Sequence, residues 1–454
     1  MERISTGNKQ LDRILDGGFP ANAIHIVMGS PGSGKTILAE QLAFTNATSQ
    51  RPALYLTTVS EPLPKFLAYL QEYEFADVAR VGTDVIYESL GEALSKRPER
   101  LADLVAELVQ RHRPSLLVID SFKAIADLMP DIQTWRKQLH ELAGILSAYV
   151  VTTFWVGEYV ADMKTQLPEF AVADGIIELT RQQFGSRDFR SLRVVKLRGS
   201  GFMDGSHAFH ITGAGLDVFP RLRAPAVGLE YRPVDERLRS GIPGLDQMIA
   251  TGWLRGSTTV VVGPSGAGKT ALGLQFLREG AQNGEPSLLV TLEENPVQIA
   301  RVMQHFGWDT ASLLGPGKLD VLFCSPVELQ IDTIVRELFD RVENNGVRRV
   351  VIDAIGDLAY TADDPIRVRD YLFALTQQFA TRNVTSILTV ESANAVPHAF
   401  TREGISYLGD NLLLMEVALE DELRRTVRIL KTRGSAHDGA RHALSIGAAG
   451  VVVR

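Results

Sequence analysis

The chain is one unit that occurs twice. In the first half Ser5-Thr6-Gly7 and Asp12 precede Gly17-Gly18-Phe19, an apolar run, and Gly29-Ser30-Pro31-Gly32-Ser33-Gly34-Lys35-Thr36. In the second half Arg239-Ser240-Gly241 and Asp246 precede Gly252-Trp253, an apolar run, and Gly263-Pro264-Ser265-Gly266-Ala267-Gly268-Lys269-Thr270. Lys35 and Lys269 are 234 residues apart, as are Asp12 and Asp246; Asp120 and Asp353 are 233 apart, Arg198 and Arg433 235. So constant an offset means two homologous domains with almost no net insertion. A length of 454 residues leaves room for about three average domains, and the repeat reduces them to two. The junction is placed near residue 232, in a stretch over 220–238 with three prolines and no periodic apolar pattern. The domains are therefore 1–231 and 232–454.

Within the first copy, short apolar runs over 24–28, 53–58, 115–119 and 149–155 read as strands, and 36–44 and 101–111 as helices. Continuous apolar strands separated by helices imply a mostly parallel sheet covered on both faces, an α/β fold.

Gly-x4-Gly-Lys-Thr follows an apolar strand and precedes a helix in both copies, the context of a phosphate-binding P-loop. Glycines let several backbone N–H groups converge on phosphate oxygens, and the helix adds its positive N-terminal end. Ser30, Gly32, Ser33 and Gly34, with Ser265, Gly266, Ala267 and Gly268, form the expected cradles. Lys35 and Lys269 then reach the β and γ phosphates of ATP, and the Thr36 and Thr270 hydroxyls ligate Mg²⁺. A metal-side carboxylate is expected at the end of another buried strand; Asp120 after 115–119 and Asp353 after 349–352 supply it. For the residue that orients or deprotonates water, the second copy offers Glu293 and Glu294. The aligned first-copy residues are Val59 and Ser60, and the carboxylate there, Glu61, is displaced by one position. Adjacent residues at a strand end point oppositely, so Glu61 is not an automatic substitute.

Forty-seven Lys plus Arg against 54 Asp plus Glu leave a formal charge of −7. A protein living on nucleic-acid phosphate shows a basic excess, so nucleic acid is not an expected partner. The one cysteine, Cys324, cannot form an internal disulfide and fits a reducing cytosol; its flanks read as a strand end with a buried small side chain. The N-terminus lacks a basic region followed by an apolar stretch, and no apolar run approaches the ~20 residues of a bilayer span. The expectation is a cytoplasmic protein with no membrane partner.

The double P-loop, the Thr-Gly-x4-Asp and Ser-Gly-x4-Asp segments, Glu293-Glu294 and two late motifs, Lys196-Leu197-Arg198-Gly199-Ser200 and Lys431-Thr432-Arg433-Gly434-Ser435, make the whole chain resemble the KaiC family of bacterial circadian-clock ATPases, within the RecA-like superfamily. The resemblance implies two tandem RecA-like P-loop NTPase domains assembled as a homohexameric double ring with ATP between neighbouring subunits. It also implies that Lys196, Arg198, Lys431 and Arg433 reach the γ-phosphate of the next protomer. Cations supplied in trans stabilise charge developing on the transferred phosphoryl group and couple hydrolysis to assembly. Hydrolysis in such proteins is slow, and the second domain also transfers phosphate to its own Ser and Thr.

The acceptor pair of clock members corresponds here to Ser406 and Tyr407, so Ser406 alone is the phosphorylation candidate. The chain stops at Arg454, where clock members continue into a tail that engages an activating partner. A simpler timer or signalling ATPase with an unidentified partner protein is expected. Two other readings stay open: a RecA-like DNA motor or recombinase, and a nucleotide-dependent scaffold with little turnover.

Overall fold

The computed structural model describes residues 2–58, 68–159, 167–184, 187–225, 234–249, 252–325, 330–358, 365–392, 408–419 and 422–454. Its contacts divide into two compact units, Met1–Arg221 and Leu222–Arg454. The expected junction near 232 lies outside the described residues. Ahead of it, Leu222 and Arg223 are held by the second unit: the Leu222 N–H donates to the Tyr371 hydroxyl at 3.3 Å, and Gln378 Nε2 donates to the Arg223 carbonyl at 2.7 Å.

The first unit contains β1 (Ile24–Gly29), β2 (Ala53–Thr57), β3 (Val85–Ser89), β4 (Leu116–Asp120), β5 (Thr152–Gly157), β6 (Gly175–Phe184), β7 (Arg187–Leu197), β8 (Ser206–Thr212) and β9 (Gly215–Phe219). They form one nine-stranded sheet in the order β3-β2-β4-β5-β1-β6-β7-β8-β9. The first six are parallel and the last three continue antiparallel. Helices α1 (Lys35–Asn46), α2 (Leu101–His112) and α3 (Ile132–Tyr149) cover the sheet. Alternation along β4 shows how: Leu116 and Val118 join Leu38 and Leu42 of α1, while Leu117 and Ile119 join Val109 of α2 and Leu142 of α3. Each such side chain, fully buried, contributes roughly 1.5–3 kcal/mol.

The second unit has β10 (Thr258–Gly263), β11 (Ser287–Thr291), β12 (Leu319–Phe323), β13 (Arg349–Asp353), β14 (Thr385–Glu391), β15 (Asn411–Leu419), β16 (Leu423–Thr432), β17 (His442–Gly447) and β18 (Gly450–Val453). Their order, β12-β11-β13-β14-β10-β15-β16-β17-β18, repeats the first sheet strand for strand. Helix α4 (Lys269–Gln282) lies on one face, α5 (Ile331–Asn344) and α6 (Pro365–Thr381) on the other. This is the tandem α/β architecture expected from the repeat.

One expectation is corrected. The run over 149–155 is not one strand, because Tyr149 ends α3 and Val150, at φ +59°, turns the chain before β5 starts at Thr152. Among the described residues no helix is long and apolar enough to cross a membrane.

Candidate functional site

Each P-loop is the turn from a central strand into a helix, β1 to α1 and β10 to α4. Gly34 and Gly268 cap those helices at φ +98° and +97°. A Cβ at Gly34 would stand 3.1 Å from Ile211 Cδ1, and one at Gly268 2.5 Å from Ile446 Cδ1. The left-handed backbone therefore favours glycine at both positions, and a side chain there would also have to displace the tip of the neighbouring isoleucine. Ser33 and Ala267 are buried at the base of the loops, while Ser30, Gly32, Ser265 and Gly266 form the exposed crests. Lys35 and Lys269 are tucked under them: Lys35 Nζ donates to the Ser30 carbonyl at 2.8 Å, and Lys269 Nζ to the Gly263 and Pro264 carbonyls, each at 2.9 Å. A cavity of about 550 Å³ opens over the first loop, lined by Gly34, Lys35, Thr36, Asp120, Lys123 and Glu158. That volume suits a nucleotide.

The predicted metal-side pairs meet. Thr36 Oγ1 donates to Asp120 Oδ2 at 2.8 Å and Thr270 Oγ1 to Asp353 Oδ2 at 2.6 Å. A hydroxyl and a carboxylate are the hard oxygen donors that Mg²⁺ takes. Among the described residues no cluster of three His, Cys, Asp or Glu could hold a metal alone. Asp120 also accepts from the Tyr55 hydroxyl at 3.0 Å, whereas Asp353 accepts from Thr389. Burial raises the Asp120 pKa, against the lowering effect of its bonds from Thr36 and Tyr55 and of Lys35.

The structure separates the two glutamates after β11. Glu294 is half-buried, and its N–H donates to Thr291 Oγ1 at 3.1 Å. Its pKa is raised first by burial and then by the charge of Asp353. Glu293 is exposed. Glu61 and Ser406 lie outside the described residues.

Lys196, Arg198, Lys431 and Arg433 do not join the P-loop of their own unit. A register shift in each antiparallel pair, between Ile176 and Ile177 and between Leu412 and Leu413, falls opposite the lysine. Such bulges re-aim side chains. Lys196 Nζ donates to the Phe170 carbonyl at 3.2 Å and Lys431 Nζ to the Gly409 carbonyl at 2.9 Å. Burial, and then the neighbouring arginine, lowers both lysine pKa values. Each arginine pairs with an aspartate at the opposite end of the sheet, Arg198 with Asp174 at 3.5 Å and Arg433 with Asp410 at 3.9 Å. Asp174 and Asp410 also accept from the first residues of the P-loop strands, Ile24 N–H at 3.2 Å and Thr258 N–H at 3.0 Å. From Ile24 to Gly29 is about 16 Å at 3.3 Å per residue, beyond the reach of an arginine side chain. Arg433 instead opens on a cavity of about 450 Å³ shared with Asp410, Thr258 and Phe373.

The leading Thr-Gly-x4-Asp motif is structural. Asp12 accepts from the Thr6 N–H at 2.7 Å and Asp246 from the Ser240 N–H at 2.8 Å, closing a turn in each unit. Sequence reasoning missed Tyr55, Asp174 and Asp410, and also Glu158, whose Oε1 stands 3.7 Å from Lys35 Nζ. The repeat carried the signal for the last: 151–158 aligns with 384–391, each beginning Val-Thr and ending in Glu.

A family model described as "ATPase: KaiC" matches twice, over residues 4–223 and 238–454. The chain is 25% identical over 468 residues to the circadian clock oscillator protein KaiC of Rippkaea orientalis, covering 100% of this chain and 89% of that one. Two Synechocystis proteins are similar over 96% of this chain: circadian clock oscillator protein KaiC 1, 26% identical with 86% of its length covered, and circadian clock protein KaiC3, 27% identical with 89% covered.

Proposed function

The chain belongs to the KaiC ATPase family, and from that premise we propose that it is a ring-forming ATPase whose sites are completed by a neighbouring subunit. ATP lies in each P-loop with its phosphates against the backbone N–H groups and Lys35 or Lys269. Thr36 with Asp120, and Thr270 with Asp353, would hold Mg²⁺, which would supply positive charge to offset the charge developing on the phosphate. Glu294 receives a hydrogen bond from the attacking water in the second unit. Lys196 with Arg198, and Lys431 with Arg433, present their cations to the γ-phosphate held by the adjacent protomer. Turnover is slow and depends on the ring, since no single subunit contains a whole site, and the nucleotide state of the ring serves as a timer or signal to another protein. The second unit also transfers a phosphoryl group to Ser406.

One observation carries this reading. Both arginines sit at the end of the sheet opposite their own P-loops, clasped by Asp174 and Asp410 to the strands that lead into those loops. A head-to-tail interface brings one end of the sheet against the other end of the next copy, and repetition of such an interface closes a ring. Native mass spectrometry in ATP and in ADP tests it. A six-subunit species is expected in ATP, with one covalent phosphate per chain that disappears in Ser406→Ala. A chain that stays monomeric with ATP bound would sink the proposal.

A further inference from the structure

In each unit the strand between the P-loop strand and the aspartate strand ends in glutamate. In the first, β5 pairs with β1 so that Gly157 lies beside Met28, which brings Glu158 level with Gly29; in the second, Glu391 is the direct partner of Gly263. Glu158 and Glu391 are 233 residues apart, the spacing of Asp120 and Asp353. Both therefore emerge one strand away from the P-loop, at about 4.8 Å lateral spacing, whereas β11, which precedes Glu293-Glu294, and its counterpart β2 are three spacings away. The placement reaches the phosphate side: Glu158 Oε1 is 3.7 Å from Lys35 Nζ, and the side chain, 57% exposed, lines the cavity with Lys35, Thr36 and Asp120. The next residue holds the backbone. Tyr159 is buried, and its ring packs edge-on against Phe170 with centroids 5.0 Å apart.

We propose that Glu158 and Glu391 are further catalytic residues that orient the water attacking the γ-phosphate, and that Glu158 is the principal such carboxylate of the first site, where Val59 and Ser60 replace the glutamate pair. This rests on the reading of both P-loops as ATP-hydrolysing sites. The carboxylate accepts a hydrogen bond from water. The water oxygen forms a bond to Pγ as the bond from Pγ to the bridging oxygen breaks, its electron pair leaving on ADP. The water protons end on the released phosphate and solvent, and the glutamate is returned unchanged. General-base or water-orienting groups contribute about 10²–10⁴-fold.

The test uses the full chain. Turnover, ATP-analogue binding and ring size are measured for wild type, Glu158→Gln/Glu391→Gln, Lys269→Ala, and Lys269→Ala/Glu158→Gln. The expected result is a loss of kcat of about a hundredfold or more in the double glutamine variant, and in Lys269→Ala/Glu158→Gln relative to Lys269→Ala. Nucleotide affinity and ring size should stay within about threefold and unchanged, respectively, and Glu158→Asp should restore part of the rate. The proposal is overturned if the double glutamine variant keeps kcat within about threefold of wild type, or if its loss lies wholly in nucleotide binding. Absence of turnover in Lys269→Ala, with turnover kept in Lys35→Ala, removes the role of Glu158 alone. Absence of turnover in wild type defeats the ATPase reading itself.

Discussion

Sites completed across a subunit boundary can be rebuilt from two broken proteins. One variant carries Asp120→Asn and Asp353→Asn, which spoil both metal sides but leave Lys35, Lys269 and the arginines in place. The other carries Arg198→Ala and Arg433→Ala, which remove the cations but leave the P-loops whole. An arginine supplied in trans is worth about 10³–10⁵ in kcat, so each variant alone should be nearly inactive. The sheet geometry sets what happens on mixing. Arg198 is about 16 Å along β1 from its own loop, so in the proposed head-to-tail ring each site would draw its loop from one protomer and its cation from the next. If equal amounts assemble at random into head-to-tail rings, about one boundary in four joins an intact loop to an intact arginine. The mixture should recover about a quarter of wild-type turnover per site. The proteins are mixed before ATP is added, phosphate release is followed, and native mass spectrometry counts the mixed rings. Mixed rings with no activity beyond that of the separate variants would refute in-trans completion, because a cis arrangement cannot be complemented.

The same structure makes two predictions in the core of the first unit. His25 is wholly buried, its Nε2 lies 2.8 Å from the Pro20 carbonyl, and burial pushes its pKa from 6.5 down to about 4. The unfolded chain then binds a proton that the folded chain refuses, so stability falls as pH drops from about 6.5 to about 4, by about 3 kcal/mol in total; His25→Thr should remove that acid sensitivity in thermal melts, and an unchanged pH profile would count against it. The second unit replaces the neighbours His25 and Gly175 by Thr259 and Asn411, whose Nδ2 donates to Thr259 Oγ1 at 3.0 Å. A Cβ at Gly175 would meet His25 Nδ1 at 2.2 Å, so Gly175→Asn should cost about 1–3 kcal/mol alone and much less with His25→Thr; additive losses in denaturant titration would contradict this coupling.

What could be read from the sequence was what is local in it. A P-loop is eight consecutive residues, and the strand before it and helix after it follow from short apolar periods, so both loops could be set between a strand and a helix and both aspartates at strand ends. The placement of Glu158 and Glu391 beside the P-loop strands escaped because it comes from sheet order: nothing in 151–158 says that β5 lies beside β1. The split between Glu293, exposed, and Glu294, half-buried, is likewise set by tertiary surroundings. The strand over 149–155 failed because a β-branched run conceals the left-handed turn at Val150. The clasp by Asp174 and Asp410 needs two segments about 150 residues apart in sequence to meet, which no local pattern records.

The repeat is also a control experiment that the molecule carries within itself. Five residues after each P-loop lysine, the first unit has Glu40 and the second Leu274, both buried against the sheet. Around Glu40 stand Tyr55 and Tyr87, where the second unit has Leu289 and Val321. Burial, and then the nearby charge of Asp120, raise the Glu40 pKa from 4.5 to about 8. A carboxyl whose folded pKa is raised destabilises the fold as pH rises: the folded state keeps a proton that the unfolded chain releases above about 4.5, and the cost grows until about pH 8. At pH 7 this amounts to about 3 kcal/mol. Glu40→Leu, which copies the second unit, should therefore stabilise the first unit by about that amount at pH 7, and the pH-dependent part of the gain should vanish near pH 4.5. Leucine packing adds a contribution that does not vary with pH, so the slope and not the absolute gain is diagnostic. Hydrogen exchange of α1 amides between pH 5 and 8, corrected for intrinsic rates, isolates the first unit from the second. A gain that is the same at both ends of that range would mean that Glu40 keeps its ordinary pKa, and that polarity beneath the first site carries no titratable cost.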